Sequence, residues 1–479
     1  LAIHPLDLCV IALYLLGVTL FGLCFRSQNR SLKSYFLGSK NLPWWAISLS
    51  IVAAETSTLT LISIPGIAYQ GDFSFLQLAM GYICGRIVIS LLLIPGYFRQ
   101  EIYTAYQWIG IRFGRKLQRL TAAIFLFSRA AAEGVRIYAV SIMISIALSL
   151  PSSWSGDAIS IGLIIALTLV YTYHGGLNAV VWTDVMQTGI YTAASVVGLF
   201  VMIHAIPGGW SEFLSFGGAA GKFHLFNFAW NFHQPYTFYA GIIGGTFITT
   251  ASHGTDQLLV QRLLAAKSES NAKLALIFSG LLVFLQFGFY LLIGAALFVF
   301  YRGSPVTTSS DHIYPDFIVH HMPIGVCGLL IAAVLAAAMS NLSAALNSLA
   351  STSVMDFFSE WFPGFDEKKL IKISHIMTLF WAIVLFALAM ISRHGGRVVE
   401  TALAIASVSY GALLGVFLVG RLTKNTDENA AMVGMACGFS VNLWVWTQTT
   451  IAFPWYVPLG SLVTIGVTLF IHQTEQLSS

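Results

Sequence analysis

The sequence predicts an all-α polytopic membrane protein, and three observations carry that prediction. Of its 479 residues, 57% are hydrophobic and 9% charged, whereas a soluble domain carries roughly 25% charged residues. The apolar residues fall in runs long enough to cross a bilayer, which takes about twenty residues per helix. The longest polar stretch between runs, Pro207 to Pro235, is itself rich in Gly, Phe and Trp, which leaves no room for a large soluble domain. Any activity must therefore reside in the membrane part.

About thirteen transmembrane helices are readable, numbered as spans one to thirteen: 6-25, 43-69, 74-98, 117-149, 157-174, 179-205, 236-255, 271-301, 324-355, 370-392, 397-421, 429-450 and 456-472. Only helices satisfy their own backbone over such lengths of hydrocarbon. Span one is long for a leader and has no small-residue cleavage site before its charged loop, so it is expected to be retained. Loops after odd-numbered spans hold 17 Lys and Arg, against Lys222, Arg302, Arg393 and Arg397 on the other side. Positive loops stay inside, so the N-terminus is expected outside and the C-terminus in the cytoplasm of an integral plasma (inner) membrane protein. The five cysteines lie in or beside apolar runs with no paired spacing, which reads as packing residues and not as a disulfide or metal framework.

Three basic residues remain inside the spans, Arg86, Arg129 and Arg136, facing the acids Glu55, Glu133 and Asp184, with Asp256 at the cytoplasmic end of span seven. Arg129, Glu133 and Arg136 stand at i, i+4 and i+7 and share a face of span four. A structural ion-pair ladder and a solute contact are both open readings of that face.

Polar interruptions then single out spans two, seven and nine. Span two carries Ala53-Ala54-Glu55-Thr56-Ser57-Thr58-Leu59-Thr60, followed by Pro65-Gly66. Hydroxyl side chains divert backbone bonding, so the helix is expected to break here and free carbonyls for a cation. Glu55 is a functional candidate by its depth alone, or else pairs with an arginine of a neighbouring span. Span seven is glycine- and hydroxyl-rich from Gly241 to Gly254. Two broken helices opening two five-helix halves point to a 5+5 inverted-repeat transporter core with discontinuous helices. The divisions are 1-41, the first helix and loop; 42-205, the first repeat; 206-235, an extracellular loop; 236-425, the second repeat; and 426-479, two further helices and a tail. In span nine, Ser340, Ser343 and Asn347 line one face. They serve either as packing between helices or, together with span two, as oxygen ligands for a hard cation.

Other function classes fit poorly. The sequence has no H-E-x-x-H or G-x-S-x-G pattern for an enzyme and no repeated filter loop for a channel, and Gln473 to Ser479 is too short to be expected to serve as a sensor's output domain. No nucleic acid or obligate protein partner is implied. The partners are an ion, a small solute and the lipid bilayer.

The chain also resembles the sodium/solute symporters, the family of sodium-coupled sugar, proline, sialic acid, vitamin and monocarboxylate transporters. The resemblance covers nearly the whole chain. It rests on Tyr35-Phe36-Leu37-Gly38 before Leu42-Pro43-Trp44-Trp45, on the stretch from Gly175-Gly176 through Trp182-Thr183-Asp184 to Gln187, on Gly254-Thr255-Asp256-Gln257 with Val260-Gln261-Arg262, and on the small-residue run of span nine. It implies import by alternating access, with Na+ and no covalent chemistry. A sodium site is implied at the carbonyls of Ala53, Thr56 and Ala337, the hydroxyl of Ser340 and the side chain of Asn341, where the family usually has a second hydroxyl. Asp184 and Ser343 are implied as a second ion site or ion exit, although Ala344 offers no oxygen there. Ser57, Thr60 and Phe75 are implied to line the solute. Where the sialic acid branch has a carboxylate-binding arginine this chain has Glu133, and together with Glu55 it favours a sugar or polyol. A carboxylate, an amino acid, an amine or proton coupling through Glu55 or Glu133 are the alternatives.

Overall fold

The computed structural model describes residues 3–24, 31–38, 41–151, 153–304, 310–394, 398–423 and 426–478. Among these the regular structure is helical, apart from one isolated bridge between Leu42 and Ala266. Nine described helices are long and apolar enough to cross a membrane, or ten if the bent pair in span two is one span. The remaining expected positions are filled by Arg115–Ala147, by Gly245–Gly254 with Gln257–Leu264, and by Val398–Leu422.

Span two breaks where its hydroxyl run predicts. Trp44–Glu55 and Thr60–Gln70 meet at 61°. Thr56 leaves the helix with ψ 86° and Ser57 is extended. The Ser57 N–H turns to Glu55 O, and the Thr60 N–H bonds Ser57 O. A continuous helix would aim these two N–H groups at the carbonyls of Ala53 and Thr56.

Span seven is also discontinuous, but its break lies beyond the glycine-rich part. Gly245–Gly254 stops, Thr255 and Asp256 are non-helical, and Gln257–Leu264 follows with Asp256 as its N-cap. The glycines upstream serve close packing instead. A Cβ on Gly81 would meet the Gly241 carbonyl and come within 3.0 Å of Gly245 Cα, so spans three and seven touch backbone to backbone.

Span nine, Val326–Trp361, is the centre of the molecule, with 94% of its apolar window buried. It packs against spans one, four, five and six and against both halves of span two. Spans five and six join without a loop at Gly176, whose φ of +56° interrupts the helix from Trp154 to Ala205.

Candidate functional site

The two breaks flank a cavity of about 150 Å³. Ser57, Thr60 and Phe75, all expected beside the solute, line it, as does Glu55. Ile64, Ile67, Leu78 and Phe287 make the rest of the wall largely apolar. Span seven adds Ser252 and His253, and span eleven adds Ser407 and Tyr410. Nothing in the alternation of span eleven marks Tyr410 as a cavity residue, whereas His253 stands in the polar stretch that first drew notice to span seven.

Glu55 is a paired acid. Its Oε2 takes Arg86 Nη2 of span three, and His253 Nε2 lies 3.3 Å from the same oxygen and 3.1 Å from that guanidinium nitrogen. Arg86 is fully buried. Spans two, three and seven are thus fastened to one another at the cavity wall.

The charged face of span four divides between two neighbours. Arg129 pairs with Asp256 at the break of span seven, Nη2 to Oδ2 2.9 Å, and Tyr410 donates to the same oxygen at 2.7 Å. Arg136 stands 3.5 Å from Glu133 Oε2, and Arg129 Nη1 stands 4.0 Å from it. Both arginines line the main cavity. Glu133 does not; it lines a smaller pocket behind Ser57 with Thr58, Ala338 and Asn341.

The residues implied for sodium lie on spans two and nine, which pack against each other, with Thr58 Oγ1 donating to Val334 O at 3.4 Å. Asn341 is 2% exposed, and neither its Oδ1 nor its Nδ2 has a hydrogen-bond partner among the described residues. A buried amide left unsatisfied is costly. The Ala53 and Thr56 carbonyls have their helical donors diverted, and the Ser340 hydroxyl donates to Asp184; carbonyl, hydroxyl and amide oxygens are the ligand types a hard cation takes.

Asp184 sits apart from the cavity and is fully buried. It accepts from Ser50 and Ser340, each at 2.5 Å, and from Arg262 Nη2 at 2.9 Å. Ser343 turns back to Ser340 O at 2.9 Å. Gln261 donates to Phe36 O at 2.7 Å, so the four sequence motifs converge on one network.

Comparison with known proteins agrees with the fold. The model of the sodium:solute symporter family matches residues 35–438. The sodium/sialic acid symporter NanT of Aliivibrio fischeri is 26% identical over 95% of this chain and 90% of its own. Sodium-coupled monocarboxylate transporter 1 of Xenopus laevis is 26% identical over 94% of this chain and 73% of its own. A solved Na+-coupled sialic acid symporter, in a substrate-bound outward-open state, superposes with a TM-score of 0.90 at 25% identity and covers 98% of each chain. The chain belongs to the sodium:solute symporter family: it is a multi-pass membrane transporter, not an enzyme, and couples a solute to sodium.

Proposed function

We propose that the solute is a small organic acid and that Arg136 is its first anchor. The carrying observation is the state of that guanidinium. It faces the cavity with Glu133 no nearer than 3.5 Å, and its buried Nε has no hydrogen-bond partner among the described residues. Guanidinium groups hold carboxylates by paired, charge-assisted bonds that this contact leaves unmade. Of the two acids that favoured a sugar or polyol, Glu55 is paired with Arg86 at the cavity wall and Glu133 lies outside the main cavity, in a smaller pocket that Arg136 also lines. Relatives named for sialic acid and for monocarboxylates, both carboxylates, support the same reading.

Charge balance supplies the coupling. Glu55, Glu133 and Asp256 face Arg86, Arg129 and Arg136, so the surroundings of the cavity are neutral before ligands enter. In a low-dielectric site an anion alone or a cation alone leaves net charge, and the two together do not. Sodium at Ala53, Thr56, Ala337, Ser340 and Asn341 would hold the break of span two in its solute-binding shape, so each ligand raises the affinity of the other. Because Arg262 already balances Asp184, one sodium is the reading we adopt. The halves 42-205 and 236-425 would rock about this point, with the basic loops in the cytoplasm of the plasma membrane.

The test is uptake into proteoliposomes under an imposed sodium gradient, with pyruvate, N-acetylneuraminate, glucose and mannitol as probes. Sodium-driven accumulation of an acid that Arg136→Gln abolishes is expected. Accumulation of glucose or mannitol and of neither acid overturns the reading.

A further inference from the structure

We propose that Asp256 is a latch that the solute displaces: the carboxylate of the transported acid competes with Asp256 for Arg129 and Tyr410, and so loosens the inner half of span seven. This inference rests on the organic-acid reading above.

Three elements meet on this one carboxylate. Oδ2 accepts from Arg129 of span four at 2.9 Å and from Tyr410 of span eleven at 2.7 Å, while Oδ1 caps Gln257–Leu264 through the Leu258 N–H at 2.9 Å. Asp256 is itself one of the two residues of the break, so its contacts are among those that set the angle of the segment beyond. It is 1% exposed and does not line the cavity, whereas both of its donors do. A carboxylate entering the cavity therefore meets the same donors from the other side.

The Arg129 guanidinium has donor capacity left for a second acid. Its Nε is buried with no partner among the described residues, and Glu133 is only within 4.0 Å of Nη1. Two carboxylates drawn to one guanidinium in a low dielectric repel each other, and the donors serve one at the expense of the other. Asp256 is the one able to yield, because its Oδ1 can keep capping the Leu258 N–H while its Oδ2 gives up Arg129 and Tyr410. Loss of its two contacts releases Gln257–Leu264 from spans four and eleven. With the basic loops in the cytoplasm, that opens the inward side only after solute has arrived. Without solute the latch stays closed and sodium does not cross alone.

The full chain in proteoliposomes tests this with two readouts: efflux of radiolabelled sodium in the absence of solute, and the half-saturating concentration of whichever of pyruvate and N-acetylneuraminate the wild type accumulates. Asp256→Asn keeps the helix cap through its amide oxygen but gives up the ion pair. It is expected to raise solute-free sodium efflux about tenfold, equivalent to about 1.4 kcal/mol, and to lower the half-saturating concentration several-fold. Arg129→Gln is expected to raise efflux likewise but to raise the half-saturating concentration, a difference of sign that general destabilisation does not produce. Tyr410→Phe, which leaves no buried charge unpaired, gives the efflux signature at smaller size and stands in if Asp256→Asn does not fold. Wild-type efflux in Asp256→Asn, or solute affinity lost in it as in Arg129→Gln, overturns the latch. If the wild type accumulates neither acid, the organic-acid reading fails, and with it the solute-displaced latch; raised efflux in the variants would then show only a gate without its proposed key.

Discussion

Arg262 reaches Asp184 with Nη2 2.9 Å from Oδ2, at 1% and 0% exposure of the two side chains. Its Nε donates to Ser50 at 2.8 Å and its Nη1 to Leu258 O at 2.7 Å. One guanidinium thus joins the segment after the break of span seven to spans two and six, and through Asp184 to Ser340 of span nine. The contact ties Ser340, proposed above as an ion ligand, to the Arg262–Asp184 charge pair.

Removing either partner of this pair is expected to be severe. A buried charge left uncompensated costs about 3–5 kcal/mol, whereas replacing both partners by apolar groups of similar volume is often close to neutral. Arg262→Met and Asp184→Leu should each lower thermal stability sharply in detergent, and the double variant should recover most of the loss. Additive losses in the double variant would show that the two side chains act independently.

The sequence displays the charges of this molecule better than their pairing. In an apolar run any acid or base stands out, so Glu55, Arg86, Arg129, Glu133, Arg136 and Asp184 are all visible before folding. Which of them meet depends on how helices far apart in the chain rotate against one another. Glu55 finds Arg86 on the next span, one of the partners an ion-pair reading allows, but Arg129 finds Asp256 127 residues away. Span two breaks where its hydroxyls lie, because that signal is local. The glycines of span seven are read as a break when they mark a tertiary contact with span three, and the actual interruption at Thr255 and Asp256 carries little compositional signal. Asn341 is legible as a departure from the family's hydroxyl, and only the packed structure shows both its polar atoms buried without partners among the described residues.

Sodium binding should depend on Asn341 through its oxygen. Asn341→Ser restores a hydroxyl and is expected to keep sodium-dependent thermal stabilisation. Asn341→Ala is expected to weaken it, since a ligand that binds only the folded state stabilises in proportion to the logarithm of its concentration over Kd. Ser340→Ala should weaken it further. Because Ser340 also donates to Asp184, each variant is compared with itself in potassium, where only the structural loss remains. Equal stabilisation by sodium in wild type and in both alanine variants would remove these residues from the ion site.

The backbone contact between spans three and seven gives a prediction whose form separates steric from local causes. A Cβ on Gly81 comes within 3.0 Å of Gly245 Cα, and one on Gly245 within 2.6 Å of Leu78 O and 3.2 Å of Gly81 Cα. Both are helical, so alanine has the better intrinsic propensity by about 1 kcal/mol, and any loss of stability must come from forcing the helices apart. Overpacking of this kind costs about 1–3 kcal/mol per site. Gly81→Ala and Gly245→Ala are each expected to lower the melting temperature. The double variant should lose clearly less than the sum, because the separation that admits the first methyl makes room for the second. Because Arg86 and His253 sit on these same two helices, the separation should also loosen the hold on Glu55, and transport should fall with stability in both single variants. A gain in stability in either single variant would mean that the two helices do not touch as described.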